Sequence, residues 1–486
     1  MSASDRALAA TFSSRWTLLV AALGMAVGTG NIWRFPRIAA TQGGGSFLVA
    51  WVVFLLLWSV PLLVVELAFG KTARRGTIGA FARMGGRGMA WMGGFVAVCA
   101  TGIMFYYSVV TGWCFRFLLA AASGGLAGPD APERLWQATA GSPSAVPWHL
   151  LAVALGVAVV GFGVRGIEHA TRVLIPTLVV LVIVLAVRAV TLPGAAAGLE
   201  FLFAPRWEQL ASPRIWLEAL TQNAWDTGAG WGLLLTYAIY LRARDDVSLN
   251  AFVLGFGNNS MSLLAGIMVL CTVFAVDPQA EQRLVGADNT GLTFVWMPQL
   301  FATLPFGGLL MVVFFAALSC AALTSLIAML ELATRVAIDL GLERRRAVLV
   351  VGAAGALCGT PSALSMDVFN NQDWVWGVGL ILSGLFFALA ARSFGVERLR
   401  REIVNGPGSD LRLGRWWSLV IAWLVPIEAL ALLLWWLRDR QPGWLDPTGV
   451  FSVGTVLVQW AMVVAILLVL NRWLARRSLG PVEGSR

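Results

Sequence analysis

The chain reads as a succession of long apolar stretches divided by short polar connections. Twelve stretches are candidates to cross a bilayer, which takes about 20 apolar residues. They are residues 16–38, 45–70, 89–122, 148–163, 168–190, 214–241, 248–276, 306–339, 346–360, 374–392, 416–437 and 450–474. Each is predicted to be an α-helix, because backbone N–H and C=O groups in lipid must satisfy one another. Two are interrupted at mid-span. Span 1 carries Gly24-Met25-Ala26-Val27-Gly28-Thr29-Gly30-Asn31-Ile32-Trp33-Arg34-Phe35-Pro36, and span 6 carries Trp225-Asp226-Thr227-Gly228-Ala229-Gly230-Trp231-Gly232. Such breaks make sense where the freed backbone groups face protein, a ligand or an ion. Two of them in corresponding positions of two halves point to the central site of a transporter.

Composition agrees with a membrane protein. Of 486 residues, 58% are hydrophobic and only 13% are charged, against about a quarter in soluble domains. The net charge of +9 reads as topology rather than affinity for nucleic acid, because 34 of the 35 basic residues are arginine and they alternate between connections. Lys71, Arg74, Arg75, Arg83 and Arg87 lie between spans 2 and 3, Arg165 and Arg172 beside the 4–5 turn, and Arg242 and Arg244 beside the 6–7 turn. Arg344 to Arg346 precede span 9, Arg398, Arg400, Arg401, Arg412 and Arg415 precede span 11, and Arg472, Arg476 and Arg477 come at the end of span 12. The positive-inside rule then places both termini in the cytoplasm of a multi-pass protein of the cell's inner (plasma) membrane, with the connections at 123–147 and 277–305 external.

The expected organisation is a cytoplasmic segment 1–15, spans 1–5 over 16–190, an external connection 191–213, spans 6–10 over 214–392, a cytoplasmic loop with spans 11 and 12 over 393–474, and a basic tail 475–486 at the lipid headgroups. No connection is long enough to fold alone, and neither a signal peptide nor an obligatory protein partner is indicated. Five scattered cysteines and two histidines give no metal or disulfide framework. HExxH and GxSxG are absent, and neither His149 nor His169 has a nucleophile beside it in the sequence, so an enzyme is not expected.

The first break offers two kinds of group. Carbonyls of Gly24, Ala26 and Val27 are oxygen ligands for a hard cation. The N–H groups of Thr29 and Gly30 open a new half-helix, whose positive end favours a carboxylate. Asn31 adds a side-chain carbonyl. Glycines packing closely against a neighbour would explain Gly24 and Gly28, but not Asn31 and Arg34 in the same span. In the second break Asp226, with Gln222 and Thr227 nearby, is costly in lipid unless a cation neighbours it. Thr324 and Ser325 in span 8 could supply hydroxyls to a cation shell, or bond back to their own helix. Tyr106 and Tyr107 in span 3 need polar partners, a substrate carboxylate or another helix. Glu66 at the end of span 2 could titrate or could bond the broken backbone.

Together these residues resemble the neurotransmitter:sodium symporter family, with the LeuT fold. The matching segments are Gly28 to Pro36, Gly43-Gly44-Gly45-Ser46-Phe47, Pro61 to Glu66, Tyr106-Tyr107, Gly166-Ile167-Glu168, Gly230-Trp231-Gly232 and Ala321 to Ser325, in family order along the chain. The resemblance implies an all-α membrane protein of 12 transmembrane helices: a 5+5 inverted repeat with helices 1 and 6 broken, plus two peripheral spans. It implies two sodium ions. One would use the Ala26 carbonyl, Asn31, Asp226, Asn258 and the substrate carboxylate; the other would use carbonyls of Gly24, Val27 and Ala321 with the Thr324 and Ser325 hydroxyls. The substrate carboxylate would meet Thr29, Gly30 and Tyr107, and its amine the carbonyls of Ala26, Trp225, Asp226 and Gly228. Ile103, Tyr107, Trp225, Gly228, Trp231, Ser325 and Met329 would form the side-chain pocket. Arg34 and Asp373 would form an outer gate with Trp225 as lid, and Tyr240 and Asp339 match inner-gate positions.

The resemblance also bears on the substrate. Family members that carry amines lacking a carboxylate place an Asp where this chain has Gly28, so a neutral amino acid with an apolar or small side chain is expected. Four positions depart from the family. Asp226 stands for a hydroxyl residue among the chloride-site positions Gln222, Asn258 and Ser262, and is expected to replace the chloride that animal members bind. The tyrosine of that site is Trp51. Ala9 stands where the family has an inner-gate arginine, with Arg6 a candidate substitute. Glu331 replaces a common glutamine near Tyr240. The expected activity is sodium-coupled amino-acid symport by alternating access, chloride-independent; the alternatives are proton-coupled transport through Asp226 or Glu66, and a receptor that senses substrate without moving it.

Overall fold

The structure is a computed structural model, and it describes residues 11–242, 244–276, 289–438 and 443–480. Arg6, Ala9, the first part of the 277–305 connection and the end of the tail lie outside the described residues.

Among the described residues the secondary structure is entirely helical. Ten continuous helices are long and apolar enough to cross a membrane: Gly45–Ala73, Arg87–Ala122, Pro143–Gly161, Val164–Val190, Val247–Val276, Gly307–Asp339, Arg344–Leu364, Met366–Phe394, Arg415–Arg438 and Val453–Leu479. They are spans 2–5 and 7–12. Span 1 is a bent pair, Arg15–Ala26 and Thr29–Thr41, at 52° to one another. Span 6 is a helix Pro213–Asp226, a glycine-rich break and a short helix Leu233–Ala238.

Several boundaries differ from the apolar windows. Span 9 ends at Leu364 and span 10 begins at Met366, with only Ser365 in extended conformation between them. The start of span 10 is polar because it faces protein: Asn371 Nδ2 donates to Val450 O at 2.9 Å and Trp374 Nε1 to Ser452 O at 3.2 Å. Span 12 runs on to Leu479, tied to span 3 by Trp91 N donating to Asn471 Oδ1 at 2.9 Å. Connections also contain helices that no apolar window marks, among them Thr77–Met84, Ala131–Thr139, Ala195–Phe203 and Met297–Ala302.

Span 3, α-helical over Ala90–Ala122, and span 8, Gly307–Asp339, each 33 residues long, pack along each other. The two halves of span 1 lean on spans 5, 7 and 8, while span 6 contacts spans 1, 2 and 10. Both broken helices therefore meet at the centre of the bundle. Chain geometry dictates the second break. Gly228, Gly230 and Gly232 have φ of +69°, +89° and +77°, a region in which a Cβ is strained. The freed amides are collected by Glu66 of span 2, fully buried: Gly230 N donates to Oε1 at 2.6 Å and Leu235 N to Oε2 at 3.1 Å. Glu66→Leu strands two buried donors and is expected to cost about 3 kcal/mol, read as a lower thermal unfolding midpoint in detergent.

Candidate functional site

The first break is a two-residue interruption at Val27 and Gly28. Gly28 N donates to Asn31 Oδ1 at 2.8 Å, so Asn31 caps the half-helix that it belongs to. Thr29, the first residue of that half-helix, reaches span 3: its N–H and its hydroxyl each lie 3.1 Å from the Tyr107 hydroxyl. A Cβ added at Gly28 would come within 3.0 Å of Ser325 Oγ and 3.1 Å of Tyr107 Oη. Span 1, span 3 and span 8 thus converge on one point, with the free end of a half-helix dipole aimed at it.

Behind that point lies a buried polar chain. Asn31 Nδ2 donates to Ser262 Oγ at 2.7 Å and to Asn258 Oδ1 at 2.9 Å, and Ser262 Oγ donates to Asp226 Oδ2 at 2.5 Å. The other carboxylate oxygen of Asp226 and both amide atoms of Gln222, one turn earlier, are buried without a hydrogen-bond partner. The outer tip of the Asn258 amide is 3.1 Å from Asp226 O and 3.2 Å from Ala26 O. With oxygen at that tip, three acceptors crowd together; with nitrogen there, it abuts Asn31 Nδ2 at 2.9 Å. A cation at the tip relieves the first arrangement and leaves the Asn31 bond intact. These residues fit a sodium ion, whose preferred ligands are oxygens. Of the second set, Ser325 Oγ donates to Met25 O at 3.3 Å, and a Cβ added at Gly24 would lie 3.4 Å from Thr324 Cβ. Thr324 Oγ1 bonds back to Cys320 and Ala321 carbonyls, both at 3.0 Å.

A cavity of about 860 Å³ opens from this point away from the arginine-rich end of the bundle. Met25, Tyr107, Trp225, Gly228, Trp231 and Met329 line its depth. Ile103 is fully buried and does not border it. Arg34 and Asp373 stand higher on its wall, where they make no ion pair with each other. Arg34 instead lies over the Trp225 ring, 5.0 Å from its centroid.

The profile described as the sodium:neurotransmitter symporter family matches residues 9–140 and 137–478. The chain belongs to that family. It is 29% identical to an uncharacterized sodium-dependent transporter of Methanocaldococcus jannaschii, over 94% of this chain and 97% of that one. A second such transporter, from Bacillus subtilis, is 30% identical over 87% and 96%. The fold matches the crystal structure of MhsT in complex with L-phenylalanine with a TM-score of 0.78 at 28% identity, covering 87% of this chain and 99% of that one. The protein is thus a multi-pass, sodium-dependent symporter with the LeuT fold: spans 1–5 and 6–10 form the inverted repeat, and spans 11 and 12 are peripheral.

At the arginine-rich end this symporter is closed. Phe12 packs edge-on against Tyr237 and Tyr240, its N–H bonds Tyr240 O at 3.3 Å, and Arg242 donates to the carbonyls of Phe12 and Ser13. Tyr240 Oη donates to Glu331 Oε1 at 2.7 Å, and Arg344 pairs with Glu331 Oε2 at 2.6 Å. Asp339 bonds Gly76 N and pairs with Arg335 on its own helix at 3.0 Å. Among the described residues the cavity is thus open at one end only, and alternating access forbids a state open at both. Sequence reasoning missed several parts. Met25 carries no chemical signal in an apolar run. Arg344 reads as topology, and Arg335, inside span 8, draws no reading at all. Asn223, which together with Thr227 ties span 6 to Ser59 by bonds of 3.3 and 3.0 Å, sits one helical turn before Thr227 and could have been found.

Proposed function

We propose that the protein is a sodium-coupled symporter of neutral amino acids with apolar side chains, binding two sodium ions and needing no chloride. The observation that carries this is the frustrated Asn258 amide between Ala26 O and Asp226 O, next to the half-helix amides of Thr29 and Gly30. A cation and a carboxylate are wanted side by side, and an amino acid supplies the second. Asp226, hydrogen-bonded to Ser262 and beside the unpartnered Gln222, is the negative charge that makes chloride unnecessary. Sodium would occupy Ala26, Asn31, Asp226 and Asn258 at one site, and Gly24, Val27, Ala321, Thr324 and Ser325 at the other. That MhsT has been seen with L-phenylalanine supports an apolar amino acid as cargo.

The arginine-rich end is the cytoplasmic one in this reading, with both termini there and the open cavity facing outward. Inward movement of sodium, worth ~2.3 kcal/mol per charge per 100 mV, supplies the work. Since each ligand completes the other's site, each raises the other's affinity by the same factor. Proton coupling through Glu66 is not favoured, because both of its oxygens hold the span 6 backbone; only Asp226 is left for that alternative. The test is a thermal-shift screen of the twenty amino acids in sodium chloride, sodium gluconate and choline chloride. Stabilisation by neutral amino acids in both sodium salts and not in choline is expected; no sodium-dependent stabilisation overturns the reading. In the same assay Tyr107→Phe is expected to weaken amino-acid affinity about tenfold, leaving stabilisation by sodium alone in place.

A further inference from the structure

Two places on the cavity wall lack a side chain where one would obstruct it. At Gly228, with φ of +69°, an added Cβ would meet only Met25 Cε, at 3.7 Å. At Gly377 on span 10 an added Cβ would fall 2.1 Å from Cζ2 of Trp225. The Trp225 indole therefore occupies a recess that exists only because residue 377 has no side chain. Parked there, under the Arg34 guanidinium, it stands edge to face with Trp231, centroids 6.0 Å apart and planes at 80°. The Trp231 ring is fixed in turn by Nε1 donating to Ala224 O at 3.0 Å. The result is a right-angled aromatic corner beside the open Cα of Gly228, with Met25 and Met329 bordering the same space.

We propose that the side-chain end of the pocket is built for a flat aromatic side chain, and that Gly377 sets this specificity by holding Trp225 out of the space that such a side chain fills. This rests on the amino-acid symporter reading above. A third ring completes the corner with edge-to-face contacts, and the two thioethers add favourable sulfur–ring contacts. An alanine side chain would leave most of the corner empty. Gly377→Ala would push the indole from its recess toward the substrate, so it acts through Trp225 as a positioning residue.

The test is titration of the purified protein in sodium with phenylalanine, tryptophan, leucine and alanine. The aromatic pair is expected to bind at least about tenfold tighter than alanine. Gly377→Ala should remove most of that preference while leaving alanine affinity within about threefold. Gly377→Ala with Trp225→Phe, which trims the displaced ring, should restore it. If alanine or leucine binds as tightly as phenylalanine to the unmodified protein, the inference fails and the symporter reading stands. If Gly377→Ala weakens alanine and phenylalanine equally, residue 377 is merely structural and the inference also fails. If no amino acid binds in sodium, the symporter reading itself falls and takes this inference with it.

Discussion

Asp226→Ser is expected to turn a chloride-indifferent protein into a chloride-requiring one. In sodium gluconate the variant should lose roughly a thousandfold in apparent sodium affinity, and sodium chloride should restore a large part of it. The magnitude follows from the charge that is removed. A carboxylate about 4 Å from sodium is worth roughly 4 kcal/mol at an effective dielectric of 20, and 1.4 kcal/mol is tenfold. The direction follows from the surroundings. Asp226 is buried, with one oxygen bonded by Ser262 and the other unpartnered. A carboxylate so placed is costly unless a cation lies beside it. Taking it away removes the charge but leaves the Gln222 amide and the Ser262 hydroxyl, polar groups able to hold a chloride. The measurement is amino-acid uptake into proteoliposomes with an inward sodium gradient, in chloride and in gluconate. Uptake by the unmodified protein that collapses on replacing chloride would refute the assignment.

The candidate site was legible for a physical reason. An apolar span has few ways to carry glycine, asparagine and aspartate, so Gly28, Asn31, Asp226 and Gly228 stood out against their background, and the structure gathers them at the junction of spans 1, 6, 7 and 8. What stayed hidden was whatever looks ordinary in such a background. Gly377 is one of many glycines in helices, and only the three-dimensional approach of Trp225 gives it meaning. Arg344 sits in a connection whose arginines read as topology and Arg335 within an apolar span, so their pairing with Glu331 and Asp339 is invisible in the pattern. Span ends were misjudged where polar residues face protein rather than water, as at Asn371. Arg34 rests on Trp225 rather than pairing with Asp373, the partner that the resemblance implies for it.

Gly28→Asp is expected to abolish amino-acid binding while keeping the fold. The Cβ itself would come 3.0 Å from Ser325 Oγ and 3.1 Å from Tyr107 Oη, a squeeze between two hydroxyls that can shift by tenths of an ångström. Gly28 has an extended backbone, φ −108° and ψ −169°, which aspartate adopts without strain. The new carboxylate would reach toward the Tyr107 hydroxyl and the Thr29 amide, the groups proposed to hold the substrate carboxylate. Two carboxylates cannot share those donors, since like charges at such range repel by several kcal/mol at an effective dielectric of 20. Affinity for an amino acid should therefore fall by roughly a thousandfold or more. Sodium should still stabilise the variant, because the added carboxylate stands in for the one that substrate would have brought. The same change should allow an arylalkylamine lacking a carboxylate, such as phenethylamine, to bind, its ammonium meeting the new acid. Thermal shifts with phenylalanine and phenethylamine, each in sodium and in choline, check both halves. Retained phenylalanine binding in Gly28→Asp would show that the substrate carboxylate lies elsewhere than at the Thr29 and Gly30 amides.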